Sequence, residues 1–143
     1  MSKSYVSAQL RRTVIERARS CCEYCLQPAA FAFCSHQIDH IIAEKHGGKT
    51  VDNNLALACK LCNTLKGSDL ASIDPESQEI VRLYQPRHDR WQDHFQLKES
   101  ELVPLTAIAR TTIWLLHLNQ DDRLRERLVW LTLQLVHLPT AFE

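Results

Sequence analysis

Apolar residues first recur at helical spacing from Ser7 onward, where Leu10, Val14 and Ala18 share one face and Arg11, Arg12, Arg17 and Arg19 take the others. That spacing predicts an amphipathic helix capped by the Ser7 hydroxyl. Residues 1–6 carry no period and read as a frayed end. From Phe31 to Ile42 the period shortens, with Ala32, Cys34, His36, Ile38 and His40 on alternate positions, and a strand ending at or near His40 is predicted. A loop through Glu44, Lys45, His46, Gly47, Gly48 and Lys49 follows. Leu55 to Ala58 reads as a second strand, and Cys59 to Lys66 as a short helix stopped by Gly67.

Beyond Gly67 the elements are short. Ile73-Asp74-Pro75 reads as a turn, Ile80 to Tyr84 as a strand, and Leu97 to Leu102 as part of a strand pair around a polar turn. Two helices close the chain: Ala107 to Leu118, and one from Asp122 on which Leu124, Leu128, Leu131, Leu135 and Leu138 keep a three-and-four spacing. Trp114, Trp130 and this leucine stripe read as core or as a partner face, packed on the rest of the chain or on a second copy. There is no internal repeat, linker or low-complexity tract.

At 143 residues the chain suits one domain, with residues 1–67 as an N-terminal unit and 68–143 as an extension packed on it. Its net charge of zero excludes a uniformly basic nucleic-acid binder, yet the charge is unevenly spread. Residues 1–67 hold nine Lys/Arg against five Asp/Glu, and residues 68–143 hold eight against twelve, so the halves carry +4 and −4. A local positive field can recruit phosphate on a neutral molecule. No secretory signal is visible, and Arg110, His117 and Gln120-Asp121-Asp122 break the most apolar region well short of the roughly 20 residues that span a bilayer. A cytoplasmic, soluble protein is expected.

Without export, thiols stay reduced, and paired Cys-x-x-Cys motifs then point to zinc rather than to disulfides. Cys22 with Cys25, and Cys59 with Cys62, have the two-residue gap of a zinc knuckle, in which both sulfurs reach one tetrahedral ion. Cys21 with Cys25 would make a looser pair. Cys34, in apolar surroundings, is expected as a buried structural thiol. Two short strands and a short helix bury too little surface to hold themselves, which is the physical reason to expect a staple.

The stretch between the knuckles carries hard-ligand chemistry. Asp39 and Asn63 offer oxygen donors for a divalent cation, which acts as a Lewis acid in phosphodiester hydrolysis. His40 has an ordinary pKa near 6.5 and suits a general base that activates water. Lys45, Lys49 and Lys66 are candidates to neutralise flanking phosphates. His36 and His46 match no ligand position and are expected at the surface or just behind the site, and His88 and His94 are expected to pack around Trp91 and Phe95, with DNA or metal contact as the alternative.

Asp39-His40, Asn54 and Asn63, framed by the two Cys-x-x-Cys pairs, resemble the HNH endonuclease family over residues 7–67. The run Pro86-Arg87 through Trp91 to His94-Phe95 is similar to the C-terminal extension of one bacterial HNH subgroup. The resemblance implies an α+β fold: a ββα-metal core with an N-terminal helix, stapled by zinc on Cys22, Cys25, Cys59 and Cys62, plus a two-helix extension. It also implies a metal-dependent endonuclease acting on DNA, RNA remaining an alternative substrate. His40 would be the base, and Asp39 and Asn63 would hold the catalytic ion. Asn54, with Asn53 as alternate, would fix the loop and position His40. Family members carry His or Asn at the position of Asn63, and the amide oxygen favours Mg²⁺ or Mn²⁺ over Zn²⁺. The rival reading is a zinc-stabilised, non-catalytic module that binds nucleic acid or protein.

Overall fold

Ser7 opens the first helix as its spacing predicts: its hydroxyl accepts from the Leu10 amide, and α1 runs Ala8–Arg17. The computed structural model describes residues 5–139; residues 1–4 of the expected frayed end lie outside the described residues. Val14, the one fully buried residue of α1, packs on Ile38, Leu55 and Leu57. These three belong to a two-stranded hairpin of β1 (Gln37–His40) and β2 (Leu55–Ala58), paired antiparallel with Ile38 opposite Leu57 and His40 opposite Leu55.

Facing residues of an antiparallel pair lie on the same side of the sheet, and successive residues alternate sides. Ile38, His40, Leu55 and Leu57 therefore lie toward α1, while Gln37, Asp39, Ala56 and Ala58 lie toward the following helix. That helix, α2 (Lys60–Lys66), begins with Cys59 as its cap, the thiol accepting from the Cys62 amide at 3.4 Å. Gly67 ends it with φ at +50°, a conformation that favours glycine. The hairpin and α2 form a ββα unit.

The predicted strand from Phe31 is shorter than its alternation suggested. Pro28 caps a 3-10 turn at Ala29–Phe31, and all four residues of β2 are used by residues 37–40, so residues 32–36 have no strand to pair with. Phe33 and Cys34 are exposed, which corrects the reading of Cys34 as a buried thiol.

The extension supplies two further hairpins, β3 (Ala71–Ile73) with β4 (Ile80–Arg82), and β5 (Phe95–Lys98) with β6 (Glu101–Pro104), flanking a one-turn helix α3 (Trp91–His94). Two longer helices follow, α4 (Ala107–Leu115) and α5 (Asp121–Thr132). The first stops three residues before Leu118 because His117 takes a left-handed φ of +51°. One apolar cluster joins the two parts of the chain: Cys22, Cys25, Cys59 and Cys62 pack with Tyr84, Trp91, Phe95, Leu102 and Leu118.

On α5 the buried side is not the leucine stripe. Leu128 is 52% exposed, whereas Arg123, Arg127 and Trp130 are buried. Trp130 is buried in the core and Trp114 is 65% exposed, so of the two readings, core or partner face, the core one holds for Trp130 alone. Among the described residues no helix is long and apolar enough to cross a membrane.

Candidate active site

The four expected thiols converge. The sulfurs of Cys22, Cys25, Cys59 and Cys62 all lie within 4.8 Å of one another and are buried, with Cys25 and Cys59 3.6 Å apart. Four sulfurs at 2.3 Å from a tetrahedral ion sit about 3.8 Å apart, so the donor set and its spacing fit a structural zinc. Cys21 is not part of the group; its thiol points to the Leu135 carbonyl at 3.7 Å.

The first knuckle does more than present sulfur. Glu23 sits between Cys22 and Tyr24, and its backbone amide donates to the Leu57 carbonyl at 2.8 Å while its carboxylate accepts from the Leu57 amide at 2.7 Å. Its second oxygen pairs with Arg87 of the extension. Tyr24 donates its hydroxyl to Asp39 Oδ2 at 2.9 Å. The thiol cluster and the acidic residue of the site are thus linked through one side chain.

Asp39 is 3% exposed and is also paired with Lys66, whose Nζ lies 3.3 Å from Oδ2 and donates to the Ile41 carbonyl at 3.1 Å. Burial pushes the Asp39 carboxyl above the usual range, against the opposing pull of Lys66 and of the Tyr24 hydroxyl. Lys66 was expected at the surface as a phosphate contact; at 3% exposure it is instead an internal counter-ion, because α2 turns it toward β1. Lys45 and Lys49 are exposed, as a phosphate contact requires.

Asn63 lies three residues before Lys66, hence on the same side of α2. Its amide nitrogen donates to Gln37 Oε1 on β1. Asp39 and Asn63 therefore both face the β1–α2 interface, Asn63 against Gln37, two residues before Asp39 on the same strand face, whereas His40 lies on the opposite face of the hairpin.

Asn54 closes the loop between the strands. Its Oδ1 accepts from the Ile42 amide, and its Nδ2 donates to the carbonyls of Ile42 and Lys49, each at 2.9 Å. Asn53, the alternate, is exposed. Gly48 makes the closure possible, since a Cβ there would stand 1.7 Å from the Ile42 carbonyl oxygen. The clamp holds Lys49, and the next residue, Thr50, meets His40: Thr50 Oγ1 and His40 Nε2 are 2.8 Å apart. Nδ1 of His40 makes no hydrogen bond among the described residues, and the side chain keeps an opening to solvent at 8% exposure.

Tyr24, Gln37 and Thr50 were not read from the sequence as site residues. The only signal for Tyr24 was its place inside a knuckle, and Thr50 is one hydroxyl in a polar loop. Arg123 and Arg127 were missed for a different reason: charged residues beside a leucine stripe are normally counted as solvated.

A thiol-stapled ββα unit with Asp-His at the end of its first strand defines a class of metal-finger domain. Residues 22–69 match the model of the HNH endonuclease family, and the four converging thiols within this α+β segment fit a structural zinc. No curated protein and no solved structure matches the chain.

Proposed function

We propose that the protein is a metal-dependent HNH endonuclease that hydrolyses phosphodiester bonds in DNA. The observation that carries the reading is the chain of contacts from Asn54 through Lys49 and Thr50 to His40 Nε2, which holds a histidine at the end of β1 with its other nitrogen unengaged.

In this mechanism Thr50 Oγ1 accepts a hydrogen bond from Nε2–H and fixes the tautomer, leaving Nδ1 of His40 as the base. Nδ1 takes a proton from water, and the resulting hydroxide attacks phosphorus opposite the leaving oxygen. Asp39 and Asn63 would hold a Mg²⁺ or Mn²⁺ ion. The donor set fits, since one carboxylate and one amide oxygen, completed by water and substrate phosphate, is how such ions are commonly bound. When bound, the ion stabilises charge on the phosphoryl and leaving oxygens. Asn54 keeps the loop from drifting, and Lys45 and Lys49 face outward to meet the strand on either side of the scissile bond.

The binding-module reading has one observation in its favour: the Asp39 carboxylate is already engaged by Lys66 and Tyr24. Conversion of supercoiled plasmid to relaxed or linear form in Mg²⁺ or Mn²⁺, blank in EDTA, supports the nuclease. No conversion with either ion, in zinc-replete protein, supports the module.

A further inference from the structure

The two most deeply buried arginines both project from α5: Arg127 is 0% exposed and Arg123 is 5% exposed. A guanidinium withdrawn from water costs several kcal/mol unless charges or acceptors surround it. Arg127 is met by backbone carbonyls alone, with Nε to Cys25 at 3.2 Å, Nη1 to Ser100 at 2.9 Å and Nη2 to Leu118 at 2.8 Å. Arg123 is met differently. Its Nη1 donates to the Leu116 carbonyl at 2.7 Å, and its Nη2 points at sulfur, 3.2 Å from Cys62 Sγ and 3.7 Å from Cys59 Sγ.

A divalent ion on four thiolates carries a formal charge of −2, and this one lies in the apolar cluster that unites the finger with the extension. Such a charge needs a partner inside the protein. Arg123 is placed to supply one directly on the two sulfurs of the second knuckle.

We propose that Arg123 is an outer-shell partner of the zinc centre, donating a charge-assisted hydrogen bond to its thiolates, and that metal loading and docking of α5 are thereby coupled. The role concerns the staple and holds whether or not the domain cuts DNA. Loss of the ion leaves Arg123 buried without its counter-charge, so α5 leaves the finger when the thiols are emptied or oxidised. The extension is then the element through which the metal state of the finger reaches the far end of the chain.

The test uses the full chain. Zinc affinity is measured by competition with a chromophoric chelator for the wild type and for Arg123→Met, where removal of an outer-shell partner is expected to weaken binding about 10- to 100-fold. In Co²⁺-substituted protein, the sulfur-to-metal charge-transfer band of Arg123→Met should move to lower energy, because thiolates without a hydrogen-bond donor give up electron density more readily. Arg127→Met, as buried but hydrogen-bonded only to carbonyls, should move that band less than Arg123→Met does. If Arg123→Met does not fold, Arg123→Gln, which removes the charge and keeps a polar side chain, is read for the same band shift. Hydrogen exchange on chelation should deprotect α5 of the wild type together with the knuckles. An unshifted band in the Arg123 variant, or α5 amides that stay protected after the zinc is removed, overturns the proposal.

Discussion

Lys66 and Asp39 meet across the β1–α2 interface, Nζ to Oδ2 at 3.3 Å, with side chains only 3% and 4% exposed. A lysine in the motif after the last cysteine is thereby an internal cation held against the acidic residue of the site. Removing one member of such a pair leaves the other charge buried and uncompensated. Lys66→Met is expected to lower the unfolding free energy by about 3–5 kcal/mol. Adding Asp39→Asn to it should restore part of the loss, since no unpaired charge remains. Urea titration of the single and double variants at neutral pH measures this; a double variant that loses the full sum of the two singles would show that the pair is not coupled.

Asn54→Ala removes three hydrogen bonds to the backbone of Ile42 and Lys49. About 3 kcal/mol of stability should go with them. The loop carrying Thr50 loosens, and a misplacement of His40 by an ångström is expected to cost roughly 10²-fold in cleavage rate. Zinc content, measured by elemental analysis, should not change. An Asn54→Ala protein that cuts at the wild-type rate would separate the clamp from the histidine.

The two loop glycines make a graded pair. Gly47 has φ at +91° and open space around its Cβ direction, whereas a Cβ on Gly48 meets the Ile42 carbonyl oxygen and, at 2.9 Å, the Asn54 amide nitrogen. Gly47→Ala should cost about 1–2 kcal/mol from backbone strain. Gly48→Ala should cost more and reproduce the activity loss of Asn54→Ala, because it pushes the clamp apart. Equal effects of the two substitutions, in thermal melts and in cleavage rate, would contradict this.

Asp74 is expected to contribute to the acid limb of stability. It is fully buried, receives Arg110 Nε at 3.1 Å and Nη2 at 2.9 Å, and caps its own turn through the Glu76 amide and the Ser77 hydroxyl. Arg110's hydrogen bonds, outweighing the opposing effect of burial, hold its carboxyl well below the usual range. The folded value is therefore below the unfolded value of about 3.9. The stability Asp74 contributes is present above that value and is lost as pH falls toward the folded one. Urea midpoints taken from pH 5 down to pH 2 should fall steeply in the wild type and less steeply in Asp74→Asn. Parallel slopes would remove Asp74 from the acid transition.

Much of the finger was legible because its determinants are local. Leu55 to Ala58 is a strand between two turns, Ser7 is a cap, Gly67 is a stop, and the paired Cys-x-x-Cys spacing fixes four ligands whatever happens between them. Reading failed where tertiary partners decide. Alternation from Ala32 to His36 had no neighbouring strand to satisfy it, so it became irregular loop. On α5 the spacing Arg123, Arg127, Trp130 has the same three-and-four period as the leucines, one residue out of phase, and either stripe could have faced inward. The sulfur cluster that Arg123 meets comes from the other end of the chain, and nothing within α5 records it. Lys66 was misplaced likewise, since its direction depends on where β1 lies against α2.

The central claim is that His40 is the base of a phosphodiester-cleaving site, and one comparison tests it most directly. Wild type and His40→Ala, matched for zinc content and for thermal stability, are incubated with supercoiled plasmid in Mg²⁺ or Mn²⁺ and the rate of strand breakage is followed. The account predicts metal-dependent cleavage by the wild type and a loss of at least about 10²-fold in the variant. Cleavage by His40→Ala at the wild-type rate would contradict it.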